Sequence, residues 1–145
     1  MSLGNYSPNL VTLIVAGVLV QGYADDNFIE VSQEEDDFTL YKSVDGFVSR
    51  AMNADETVIL KVSLAQTSLS NDHFAGLRKI DKATGVGAFP VMLKELNGTT
   101  IYSSATAMFK KNAGKKFGKN VGAVDWEIIL PNALGFTGGN LPLGL

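Results

Sequence analysis

Cysteine is absent from the 145 residues and histidine occurs once. The first absence removes both a disulfide framework and a thiolate metal site, so packing and strand pairing must hold the fold. The second removes the paired imidazoles of most zinc sites. No G-x-x-x-x-G-K-[ST] loop and no G-x-G-x-x-G lies between a strand and a helix, and Gly85-Val86-Gly87 lacks that context. His73 falls in the first turn of the one helix the pattern predicts, where a surface or capping role suits it better than catalysis. The acids from Glu34 to Asp37 lack the alternating D-x-D-x-D-G and distal Glu of a calcium loop. We therefore assign no catalytic, cofactor-binding or metal-binding residue, and the sequence reads as non-enzymatic.

Excess charge is also missing. A net charge of −3 supplies no global basic field of the kind that drives sequence-independent nucleic-acid binding. The apolar run from Leu10 to Val20 has no Lys or Arg before it and is too short for the roughly 20 apolar residues of a spanning helix. It reads as buried strand, not as a membrane anchor.

What is present is a period of two. Val58, Leu60, Val62 and Leu64 fall on one face and Thr57, Lys61, Ser63 and Thr67 on the other, the pattern of a half-buried strand. Phe38 to Val44 alternates likewise and meets Asp45-Gly46, a two-residue hairpin signal, with Phe47 to Met52 returning. Phe89 to Leu96 meets Asn97-Gly98, after which Ile101, Ala105, Ala107 and Phe109 are expected on one face. Asn97-Gly98-Thr99 also matches a glycosylation acceptor, but the turn explains it. A first hairpin bends at Gly17, Ile29 and Val31 mark a short strand, and Val124, Trp126, Ile128 and Leu130 face inward in the last strand. One helix is predicted from Ser70 to Lys82, with Phe74, Leu77 and Ile80 on its inner stripe, Ser70 or Asn71 as cap and Gly85 past its end. The fold class is mainly β: an antiparallel sandwich or barrel with one flanking helix. Residues 1–130 form this domain, and the Gly/Pro-rich stretch 131–145 is expected as an irregular arm.

Charge is unevenly placed. Seven acids and no base lie between Asp25 and Asp37 (Asp25, Asp26, Glu30, Glu34, Glu35, Asp36, Asp37), while Lys110, Lys111, Lys115, Lys116 and Lys119 follow one another with no acid between them. Solvated loops explain each run singly; the sharper reading is contact between subunits or with a surrounding layer. A strand-rich chain without a site must also dispose of its sheet edges, and pairing with identical copies does so. A small barrel holding an apolar ligand is the rival reading.

The order of short motifs resembles the tail-tube proteins of contractile-tailed phages. Gly22-Tyr23-Ala24, Phe28-Ile29-Glu30-Val31, Asp37-Phe38, Asp45-Gly46-Phe47-Val48-Ser49-Arg50, Ser70-Asn71-Asp72, Gly87-Ala88-Phe89-Pro90 and Lys116-Phe117-Gly118-Lys119 carry the resemblance over about residues 5 to 130. It implies a fold shared with type VI secretion tube proteins, homohexameric rings stacked into a virion tail tube, and assembly in the host cytoplasm. Genome DNA would pass through the lumen without specific binding, and tail sheath, tape-measure and baseplate proteins would be neighbours. The tube of a phage-tail-like bacteriocin is an alternative. Asp45 to Arg50 become candidates for ring stacking, and Glu34 to Asp37 with Lys110 to Lys119 candidates for inter-subunit or sheath contact.

Overall fold

The computed structural model describes residue 4, residues 6–25 and residues 27–140, so Asp26 and positions 141–145 lie outside the described residues. A 3-10 turn at Pro8–Leu10 leads into β1 (Val11–Val15), β2 (Val18–Leu19), β3 (Ile29–Gln33), β4 (Phe38–Lys42), β5 (Val48–Met52) and β6 (Val58–Ala65). The helix α1 (Ser70–Thr84) follows, then β7 (Phe89–Glu95), β8 (Ile101–Phe109), β9 (Ala123–Leu130) and β10 (Leu134–Phe136). Strands run β2-β1-β7-β8-β9-β6-β3 across an eight-stranded sheet in which β10 adds to β8, and β4 and β5 form a separate pair.

The β8 strand joins the two halves of the sheet. It pairs with β7 along its length, with β10 near its start, and with β9 through Met108 and Phe109. Leu13 and Val15 of β1, Val91 and Leu93 of β7, and the predicted inward rows of β6 and β9 thereby share one core. Between Phe89↔Ala107 and Val91↔Ser104 the register slips, leaving one extra residue on β8. Such a bulge reverses which side chains face inward. Ala107 and Phe109 are buried as expected, but Ile101 and Ala105 are exposed, and Ser104 takes the inward position by donating to the Pro131 carbonyl at 2.9 Å.

The core centres on aromatic rings. Phe74, fully buried on α1, lies 5.2 Å from Phe109 and 5.7 Å edge-on from Trp126, and Phe109 lies 5.2 Å from Phe89. The sequence stripe placed Ile80 beside Phe74, but Ile80 is 57% exposed, because the start of the helix is what packs on the sheet. The capping also differs from expectation. Ser68 Oγ accepts the Ser70 N–H at 3.2 Å, Ser70 Oγ accepts the Gln21 N–H at 3.1 Å, and Asn71 Nδ2 donates to the Ala65 carbonyl at 3.0 Å. Trp126 Nε1–H donates to Asn71 Oδ1 at 2.9 Å, which gives the buried indole the partner it needs. At the other end Gly85, at φ +73°, closes the helix with its N–H on the Asp81 carbonyl. His73 Nε2 lies 3.0 Å from the Val15 carbonyl and ties the helix to β1.

Among the described residues Tyr23 is the one titrating group that burial moves strongly. Its hydroxyl is buried without a hydrogen-bond partner, and burial pushes it from an ordinary 10.0 up to about 12. The folded state thus holds this proton more tightly than the unfolded chain, so the contribution is fully present below pH 10 and is lost as pH rises towards 12. Tyr23→Phe is expected to flatten the fall in stability across that window and to cost nothing at neutral pH, since no hydrogen bond is lost. Urea titrations of both proteins at neutral and alkaline pH measure this; an unchanged alkaline slope would refute it.

The stretch expected as an irregular arm carries a strand. Leu134, Gly135 and Phe136 pair with Ser103, Tyr102 and Ile101, Ala133 is buried, and Asn140 bridges to Gly98. The Trp126 strand is accordingly not the last.

Candidate functional site

The β4–β5 hairpin belongs to neither the sheet nor the core: every residue of both strands is exposed. Its loop is built differently from the expected Asp45-Gly46 pair. Lys42 pairs with Val48, the Ser43 N–H donates to the Phe47 carbonyl at 2.8 Å and the Gly46 N–H to the Ser43 carbonyl at 3.1 Å. The loop is therefore the three residues Val44, Asp45 and Gly46, with Gly46 at φ +87° supplying the left-handed step that a side chain would resist. Ser43 Oγ–H donates to Asp45 Oδ1, and this bond, with backbone N–H groups, holds the Asp45 carboxyl below the usual range.

That single extra residue sorts the side chains. Opposed residues of an antiparallel pair point to the same side, and a slip of one residue would exchange the faces. With the observed register Phe38↔Met52, Leu40↔Arg50 and Lys42↔Val48, one face gathers Phe38, Leu40, Val48 and Met52 with Lys42 and Arg50. The Arg50 guanidinium sits 4.3 Å over the Phe38 ring. The other face holds Thr39, Tyr41, Ser49 and Ala51. Phe47 is 69% exposed and Val48 57%, beside an equally open Leu40. Among the described residues nothing outside the hairpin covers this largely apolar face, and such an exposed surface marks a site of interaction.

The two charge blocks lie on separate features. Glu34 to Asp37 form the exposed link between β3 and β4, where Asp37 Oδ1 accepts from Gln33 Nε2 at 2.7 Å. Lys110, Lys111, Lys115, Lys116 and Lys119 occupy the loop after β8, and all are exposed. Among the described residues no ion pair joins the blocks; the one salt bridge is Lys110 to Glu127 at 3.8 Å. The lysine loop instead lines a cleft of about 680 Å³ against the outer faces of β3, β6 and β9. Across that face Glu30 pairs with Lys61 and Lys61 with Glu127, so charges alternate in register, and Ser63 Oγ donates to Asp125 Oδ1 at 2.5 Å. Glu30 belonged to the acidic run, but Lys61, Asp125 and Glu127 were not singled out from the sequence. Their strand alternation put them outward, yet only the β3–β6–β9 neighbour order aligns them.

Among the described residues no cluster of His, Asp or Glu has the makings of a metal site, and no helix is long and apolar enough to cross a membrane. No family model matches the chain. A relative 31% identical over 143 residues, covering 93% of this chain and 83% of its own length, is the structural protein ORF10 of Pseudomonas phage KPP10.

The chain belongs to this family of phage structural proteins. That relative is a structural protein and not an enzyme. Two solved structures share the fold of this phage protein. One is the sheath/tube terminator of the PVC extracellular contractile injection system, with a TM-score of 0.56 at 8% identity over 92% of this chain and 97% of that one. The other is the tube-terminating cap of the anti-feeding prophage, with a TM-score of 0.55 at 7% identity over 94% of each chain. The expected mainly β antiparallel fold with one helix is thus a fold found in phage-tail-like particles.

Proposed function

We propose that this phage structural protein is a ring-forming subunit of a contractile tail's tube, in which homohexamers stack into the conduit for genome DNA. The observation that carries this reading is the β4–β5 hairpin, whose largely apolar face no described residue outside the hairpin covers. Copies of the chain arranged around a ring would cover it. Among the described residues β3 pairs only with β6, and this outer edge supports the same arrangement, because an unpaired edge is a template for another strand. Asp45 to Arg50 would then reach the adjacent ring. Glu34 to Asp37 and Lys110 to Lys119 lie at exposed positions where a neighbouring subunit or the sheath can meet them. Tape-measure and baseplate proteins would adjoin the tube, which would be assembled in the host cytoplasm and carried in the virion.

A terminator role is the second reading, favoured by a likeness that spans nearly the whole of a tube terminator and a terminating cap. Negative-stain electron microscopy of the concentrated protein separates the two. Tubes of stacked rings are expected; single rings that never stack would indicate a terminator, and monomers at every salt and concentration would overturn both. Contacts between charge blocks are worth only about 0–1 kcal/mol per pair but repeat around a ring. Tubes should therefore shorten as salt rises from about 0.1 M to about 1 M, where the screening length falls from about 10 Å to about 3 Å.

A further inference from the structure

The largely apolar face of the β4–β5 hairpin carries two bases, Lys42 and Arg50, and no acid. A surface that covers it must supply apolar side chains and negative charge together, because burying a cation without a partner is costly. The hairpin also leads away from its own subunit. The Glu34 N–H donates to the Thr57 carbonyl at 3.1 Å and the Asn53 N–H to the Asp37 carbonyl at 2.7 Å. These bonds carry the β3–β6 ladder on past Gln33, the end of β3, and not back across Ile29 and Val31 at its start.

One surface of the chain has the required chemistry. Between β3 and the β1–β7 pair, Val11, Ile29, Val31 and Leu93 line a groove of about 390 Å³ whose described lining includes Asp25 and Glu95 and no base. Val11, Ile29 and Val31 pack against the buried core yet remain partly exposed here. Glu95 stands opposite Val11 in the β1–β7 register, which sets a carboxylate beside the apolar lining. The larger clefts do not match. Those of about 540 Å³ and 440 Å³ have no acid among their described lining residues. The cleft of about 680 Å³ is walled by Lys111, Lys115 and Lys116, which would repel the hairpin's cations.

We propose that the β4–β5 hairpin of one copy seats in this groove of a second copy, with Leu40 and Val48 on Ile29, Val31 and Leu93 and with Lys42 and Arg50 facing Asp25 and Glu95. The inference rests on the reading that copies assemble through the hairpin, and it names the surface that receives it. Apolar contact supplies the area, and the paired charges fix which surface is chosen, since complementary charge contributes specificity more than affinity.

The absence of cysteine makes the test direct, because introduced thiols are the only ones present. Two full-length proteins are mixed at high concentration, one carrying Leu40→Cys and the other Val31→Cys, so a disulfide joining the two can form only between copies. Tyr41→Cys replaces Leu40→Cys in a control, since Tyr41 lies on the opposite face of the hairpin. A disulfide needs its Cα atoms within about 7 Å. Under mild oxidation the Leu40 and Val31 variants are expected to cross-link several-fold more completely than the control, with the mixed dimer identified by mass. Asp25→Lys with Glu95→Lys in the Val31→Cys protein should lower that yield several-fold, and Lys42→Glu with Arg50→Glu in its partner should restore it. A mixture that stays monomeric at every concentration would overturn the assembly reading and this proposal with it. Assembled particles in which Leu40→Cys and its control cross-link equally would leave that reading standing and overturn the groove alone. Preferential bonding of Leu40→Cys to Leu134→Cys, which β10 exposes elsewhere on the subunit, would overturn it in the same way.

Discussion

Tubes are expected to disappear when Phe47 and Val48 are both replaced by serine, while the subunit stays folded. The two parts of this outcome rest on different observations. Both side chains are more than half exposed in the single subunit and sit on a hairpin outside the core, so their loss should change folding stability by no more than about 0.5 kcal/mol. In the proposed assembly each would be buried against the adjacent ring, where an apolar side chain of this size contributes about 1.5–3 kcal/mol. That loss recurs at every subunit of every ring, so a modest change per side chain becomes a large one per interface. Electron microscopy reads the assembly and urea titration reads the fold. Normal tubes from the double variant would remove the hairpin from the stacking contact, whereas an unfolded subunit would show that it supports the domain itself.

Phe74→Ala should cost about 3–5 kcal/mol, the usual range for deleting a fully buried phenyl ring. Against a total stability of about 5–15 kcal/mol that is a large fraction. The ring is completely buried and contacts both Phe109 and Trp126, so its removal leaves a cavity at the junction of helix, β8 and β9. Ile80→Ala is the informative partner, because it deletes an apolar side chain from the same helical stripe at a position 57% exposed. Its cost should stay below about 1 kcal/mol. Similar losses at the two positions would mean that the helix packs along its whole length.

Much of the fold can be read along the chain because it depends on local periods. The inward rows of β6 and β9, the bend at Gly17, the hairpin register about Asn97-Gly98 and the glycine end of the helix each follow from one short stretch of sequence. The candidate surface was legible in part. Asp45-Gly46 marked a hairpin tip, and the resemblance made Asp45 to Arg50 candidates for ring stacking. The β8 bulge was not legible, since one extra residue against β7 is a property of two strands and not of either. Nor was the β10 strand, whose glycine-rich sequence is ordered by pairing with β8.

The sequence by itself therefore determined the class of the molecule: β-rich, with one helix, no cysteine, a single histidine and a hairpin about Asp45-Gly46. Those properties follow from residue type and from periods of two and about 3.6, which need no partner strand to be read. Tertiary structure decided which side chains meet. It set the three-residue loop that gathers Phe38, Leu40, Val48 and Met52 on one face, and the strand order that aligns Glu30, Lys61 and Glu127. It also exposed Ile80 while burying Phe74. Register and neighbour order arise from hydrogen bonds and packing between segments far apart in the chain, and a pattern along one segment carries no information about its partner's alignment.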